Sequence, residues 1–218
     1  MGFQTSLKKL SFKEITSNMF TPADIDLIRA AKNEGVKIWE NDKIKPIKDK
    51  IKKYFRAKRD QCCYCQREFG GEFPMVIDIE HILPKSDNDF KIYMFHLHNL
   101  NISCKRCNMR IKGVDISFIS SREEIISNPF VSRKYKFIHP NLDNYKTHIN
   151  RIIQINDNIK LIKYNVLTND KGQYTYDYFK LKELEINQIN EAQGVHQSKI
   201  SNDISDEIIS EIANILKG

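Results

Sequence analysis

The stretch that decides the fold runs from residue 62 to residue 113. It opens on Cys62-Cys63-Tyr64-Cys65 and continues through Ile77-Asp78-Ile79-Glu80-His81-Ile82-Leu83-Pro84. It then passes Asn99-Leu100-Asn101-Ile102-Ser103 and closes with Cys104-Lys105-Arg106-Cys107-Asn108 and, five residues on, Gly113. All five cysteines of the chain lie here, four of them in two C-x-x-C pairs with 38 residues between the pairs. Each pair is a two-thiolate claw, and two claws make the tetrahedral sulfur set that Zn²⁺ prefers. Structural zinc is therefore expected on Cys62, Cys65, Cys104 and Cys107, with Cys63 left as a spare buried thiol. The competing reading is four thiols that are merely buried.

Between the claws the pattern changes from strand to loop and back. Met75 to His81 reads as a short strand, followed after Pro84 by a polar loop. Asn99 to Ser103 reads as a second strand, and Lys105 to about Ile111 as a helix of one or two turns closed by Gly113. The chemistry is expected in the same place. Phosphodiester hydrolysis needs a base for the attacking water and a metal for the charge at the scissile phosphate. His81 is the natural base, because an unperturbed imidazole has a pKa of about 6.5 and is largely neutral at pH 7. Glu80 and Asn108 offer hard oxygen donors suited to Mg²⁺ or Mn²⁺. Neighbours on a strand point to opposite faces, so joint use of Glu80 and His81 requires a distortion or strand end at His81. Asp78 shares the face of Glu80 and reads as a solvated carboxylate or a supporting one. His96 and His98 form an H-x-H suited to loop or phosphate contacts, and His139 reads as a packing or subunit-contact residue.

The order of these elements, CCYC…IDIEHILPKS…HNLNISCKRCNMRIKG, resembles the HNH nucleases of the ββα-metal fold. The resemblance covers about residues 62–113. It implies an α+β core in which His81 is the general base and Glu80 and Asn108 hold the catalytic metal. Asn99 would brace the loop that aims His81, and the four cysteines would hold structural zinc. The chain departs from the common pattern in having Glu before the histidine and Asn at the last position, and both keep an oxygen donor. EHILPKS, SCKRCN and the later Ile138-His139-Pro140-Asn141-Leu142-Asp143 are also similar to Septu-type HNH effectors of bacterial anti-phage defence. That similarity implies a regulatory ATPase partner.

Outward from this core, residues 1–60 are expected to be a basic, helical region, 61–115 the nuclease core, and 116–218 a mostly helical extension with a hairpin. Thr21-Pro22-Ala23-Asp24 has the form of a helix cap, and a second helix is predicted from near Pro46 to Lys58. In the last third, Asn169-Asp170-Lys171-Gly172 suggests a hairpin turn within 164–179, with helices over 179–192 and 200–216.

The net charge of +7 and pI near 9.0 come entirely from the first quarter. Residues 43–59 carry nine Lys/Arg and one Asp. Lys48, Lys52, Lys53 and Arg56 are the expected phosphate contacts, the alternative being a solvated helix face. The 218 residues are 40% hydrophobic with a mean hydropathy of −0.52, and no apolar run is long enough to span a bilayer. No signal peptide is read at the start, so a cytoplasmic location is expected. The functional expectation is a metal-dependent endonuclease, DNA favoured over RNA. A zinc-stapled nucleic-acid binder without catalysis is the rival.

Overall fold

Helix α1 (Pro22–Asn33) starts where the cap residues require. In the computed structural model, which describes residues 19–34, 37–156 and 159–185, the Thr21 hydroxyl accepts from the Asp24 N–H and the Asp24 carboxylate accepts from the Thr21 N–H. This reciprocal box satisfies two donors that a helix start leaves open. Helix α2 (Lys45–Lys58) turns Ile47, Ile51 and Phe55 inward at helical spacing and leaves the lysines outside.

The centre is a two-stranded antiparallel hairpin followed by a short helix. Strand β1 (Ile77–His81) pairs with β2 (Leu100–Cys104) in the register Ile77 to Cys104 and His81 to Leu100. The Cys63 N–H donates to the Ile102 carbonyl, so the first claw lies along the other side of β2. Helix α3 (Arg106–Lys112) follows directly and is π-wound, the Gly113 N–H reaching back five residues to the Asn108 carbonyl. Gly113 ends it with φ +50°, a conformation that L side chains rarely adopt. Wide winding of this kind is rare and concentrates at functional sites.

The C-terminal part departs from expectation. Helix α4 (Arg122–Ser127) is followed by strands β3 (Ile149–Asn156) and β4 (Ile159–Val166), which pair antiparallel as a second two-stranded sheet. The hairpin therefore precedes the predicted one. Asn169 to Gly172 instead opens helix α5 (Lys171–Tyr178), whose start is capped by the Asp170 side chain. The same small and polar residues serve turns and helix starts, and here tertiary packing decides between them. A Cβ on Gly172 would stand 2.6 Å from the His148 carbonyl oxygen, so the helix start is seated against the end of the hairpin. A predicted helix over 179–192 appears only as a single turn, Leu181–Leu184, within the described residues, and the helix over 200–216 lies outside them. Among the described residues the extension is thus a hairpin and short helices rather than mostly helical.

Buried residues from Met19 to Leu181 form one continuous core. It joins the amphipathic faces of α1 and α2, the claws, and an aromatic layer in which Tyr64 stacks on Phe179 with ring centres 4.1 Å apart. None of the described helices is long and apolar enough to cross a membrane.

Candidate metal centre and adjoining polar site

The two claws meet. Cys62 and Cys65 leave a tight turn that Gln66 closes with a left-handed backbone (φ 55°) and a side-chain amide donating to the Cys62 and Cys63 carbonyls. Cys104 ends β2 and Cys107 sits in the first turn of α3. The four sulfurs lie within 4.8 Å of one another, with Cys65 and Cys104 at 3.8 Å, and all four residues are buried. Zn–S bonds of about 2.3 Å in a tetrahedron separate the sulfurs by about 3.8 Å, so the set could hold a zinc-sized ion with little movement. Cys63 is not a member of the set, and burial pushes its thiol well above the ordinary value.

His81 ends β1 and is 5% exposed. Its Nε2 lies 3.1 Å from the Met94 carbonyl oxygen. A carbonyl can only accept, so Nε2 carries the proton and Nδ1 holds the lone pair. The Trp39 ring stands edge-on at 4.3 Å, with the Lys48 and Lys85 ammonium groups over it at 5.2 and 5.7 Å. Burial, then the Lys85 charge, pushes the imidazole down to about 3, so it is neutral at pH 7. The geometry of the loop is set by Asn99. Its amide donates to the Leu83 and Tyr93 carbonyls, at 3.1 Å each, and its oxygen accepts from the Leu83 N–H at 2.7 Å. The residue beside Tyr93, Met94, is the one that orients His81.

Glu80 faces the other way. The pairing of β1 stays regular through His81, and alternation carries Glu80 to the opposite face. There Glu80 is fully buried, its Oε1 2.8 Å from the Lys112 ammonium and 3.1 Å from the Tyr64 hydroxyl that donates to it. Burial raises its pKa while Lys112 opposes the rise. Lys112 also donates to the His81 carbonyl at 2.9 Å, so one buried ammonium ties the end of α3 to the end of β1. Asn108 is not brought to Glu80. Its amide donates to Asp78 at 3.1 Å. Glu80, His81 and Asn108 are thus near one another in the fold without facing a common point.

No family model matches the chain, and no curated protein or solved structure does so either.

The basic block divides by partner. Arg56 is committed to Asp60 through two hydrogen bonds, at 2.6 and 2.9 Å, and to the Phe69 carbonyl. Lys52 donates to the Pro74 carbonyl at 2.8 Å, and Lys53 is exposed. Lys48 and Lys52, four apart on α2, flank the Trp39 and Asp78 sides of the site. His96 stacks on Phe130 with centroids 4.0 Å apart, and His98 is exposed beside it.

His139 and its neighbours are scaffolding. Asn141 spans to the entry of β2, donating to the His98 and Leu100 carbonyls at 2.9 Å each and accepting from Asn101 at 2.8 Å. Asp143 accepts from the His139 N–H and from Lys171. The fully buried His139 Nδ1 accepts from the Asn141 N–H, which leaves Nε2–H without a conventional partner and with the Tyr135 ring beside it, centroids 4.4 Å apart. Burial first, with Lys171 and His98 against the nearby Asp143, pushes this imidazole down to about 3. The unfolded chain takes up that proton below pH about 6.5 and the folded chain does not until about 3, so stability is lost as the pH is lowered through that window. Replacing His139 by Asn should reduce the slope of unfolding free energy against pH, between pH 5.5 and 4, by about 1.4 kcal/mol per pH unit. Urea titrations at each pH measure it, and equal slopes would show that His139 does not stay neutral in the fold.

Lys112, Trp39, Asp78 and Asn141 are the site residues that sequence reasoning passes over or leaves unassigned. Asp78 carries a signal in its shared strand face with Glu80, and Asn141 in its place within the string 138–143.

Proposed function

We propose that the chain is a metal-dependent HNH endonuclease that hydrolyses phosphodiester bonds in DNA. The observation that carries the reading is His81. A buried imidazole at the end of a strand, neutral, with Nε2 fixed on a backbone carbonyl, presents one free nitrogen of defined direction, which is what a general base needs. In the proposed reaction, Nδ1 takes the proton of the attacking water. Asn108 with a carboxylate of β1 would hold Mg²⁺ or Mn²⁺, which supplies charge stabilisation at the phosphate. Lys48, Lys52 and Lys85 would bind and orient the phosphate backbone from one side. The likeness to Septu-type effectors adds a regulatory ATPase partner and a role in anti-phage defence to the proposal.

The deciding experiment incubates zinc-loaded protein with supercoiled plasmid and, separately, with a single-stranded RNA. Mg²⁺ or Mn²⁺ should give nicked and linear DNA, and removal of the added divalent ion should stop it. Binding without any cleavage under either metal would support the rival, a zinc-stapled binding module. Cleavage of RNA alone would keep the chemistry and change the substrate.

The basic face is tested apart from the chemistry. Reversal of Lys48, Lys52 and Lys53 to Glu should weaken binding to unrelated DNA sequences alike. It should also reduce the slope of log affinity against log salt by about 0.9 for each phosphate that the face no longer neutralises. Arg56 is left in place because its pairing with Asp60 ties α2 to the turn before the first claw. An unchanged salt slope would return these lysines to the solvated-face reading.

A further inference from the structure

We infer that the carboxylate partnering Asn108 in holding the divalent cation is Asp78 and not Glu80. This rests on the nuclease reading above and departs from the ligand set that the sequence resemblance implies.

The first ground is contact. Asp78 Oδ2 lies 3.1 Å from the Asn108 side-chain nitrogen, whereas the Glu80 carboxylate is engaged by Tyr64 and Lys112. An amide exchanges its nitrogen and oxygen by a half-turn about its terminal torsion. The same pair then presents Asp78 and Asn108 oxygens towards one point, the hard-donor set that Mg²⁺ and Mn²⁺ take. Both residues are partly exposed, and Mg²⁺ keeps several of its waters when bound.

The second ground is that Glu80 is already committed. It is fully buried, and Lys112, itself 2% exposed, faces it at 2.8 Å. Drawing Glu80 away to a cation would leave that ammonium in the interior without its counter-charge, and breaking one side of a buried pair is strongly unfavourable. One Glu80 oxygen, Oε2, has no hydrogen-bond partner among the described residues. An unfilled acceptor on an otherwise paired carboxylate is a smaller defect than an orphaned ammonium. Helix α3 explains the division. Asn108 and Lys112 are four apart on one side of it and meet Asp78 and Glu80, two apart on one face of β1, so each strand carboxylate has its own helix partner.

Lys52 lies within electrostatic reach of Asp78, so one ammonium stands at the flank of the pair.

Mn²⁺ binding, followed by loss of the free-ion paramagnetic resonance signal, tests this without any turnover. The full chain is used with its zinc content confirmed before each titration. Asp78→Asn and Asn108→Ala should each weaken Mn²⁺ binding by about tenfold or more, and Glu80→Gln should keep it within a few-fold. If Glu80→Gln fails to fold, Glu80→Gln with Lys112→Met removes both charges together and is read instead. Loss of Mn²⁺ on Asn108→Ala but not on Asp78→Asn would overturn the inference and leave the nuclease reading standing. Loss only in the Glu80 variants would return the ligand role to Glu80. A wild-type chain that binds no Mn²⁺ and cuts no DNA would remove the nuclease reading itself.

Discussion

His81→Ala should lower plasmid cleavage by about 10²–10⁴-fold while zinc content and DNA affinity stay near those of the unsubstituted chain. The expectation follows from what the ring touches. Its hydrogen bond is to the Met94 carbonyl, its contact with Trp39 is edge-on, and neither the claws nor the Lys112 latch passes through the side chain. Lys112 meets His81 at the backbone carbonyl, which alanine retains. The substitution therefore removes the base and leaves the strand end in place. Higher Mg²⁺ or Mn²⁺ should not restore His81→Ala, whereas it should partly restore Asn108→Ala, where a donor is removed and the base remains. Cleavage by His81→Ala within a few-fold of wild type would locate the chemistry elsewhere, and His96 and His98 would be the next residues to remove.

Cys107→Ser is expected to give unfolded or insoluble protein rather than a folded, inactive one. Four thiols within 4.8 Å of one another in the interior are a poor arrangement without a cation. Four thiolates brought together in the interior are desolvated and repel one another, so the set needs a positive charge at its centre. Zinc supplies about 10–16 kcal/mol of apparent folding free energy in small modules of this kind at pH 7, comparable with or above the whole stability of about 5–15 kcal/mol for a typical domain. The damage should be read as insolubility, or as a collapsed urea midpoint, together with less than half a zinc per chain by elemental analysis. Cys63→Ala is the control. It removes a buried thiol of the same segment that lies outside the sulfur set, so zinc should remain stoichiometric. Zinc lost equally from both variants would mean the four-cysteine assignment is mistaken.

What is legible in the sequence is local. Thr21 to Asp24 carries its own cap. The claws, the two short strands and the brief helix after them are readable because thiol spacing, alternation and a closing glycine are each expressed within a few residues. The hairpin is misplaced because Asn169 to Gly172 is as good a helix start as a turn, and what decides is the approach of Gly172 to the His148 backbone, a contact the local string does not contain. Nothing in the local string singles out Lys112. Its burial follows from that of Glu80, and both depend on the aromatic layer formed by Tyr64, Phe137 and Phe179. Arg56 is expected from the sequence as a phosphate contact, and its pairing with Asp60 forms where the chain leaves α2.

The ties between the late and early parts of the chain bear on how it is made. Tyr164 donates to the Cys65 carbonyl at 2.6 Å, Arg151 to the Gln66 carbonyl at 2.7 Å, and Arg106 to the Phe179 and Lys180 carbonyls at 2.9 Å. At roughly 5–20 residues per second, a ribosome needs on the order of ten seconds to travel from Cys107 to Lys180. For that interval the nascent chain carries both claws and His81 without the segment that clamps them. Over that interval the four cysteines are already open to a metal ion, while the Cys65 and Gln66 carbonyls still await the donors that Tyr164 and Arg151 bring.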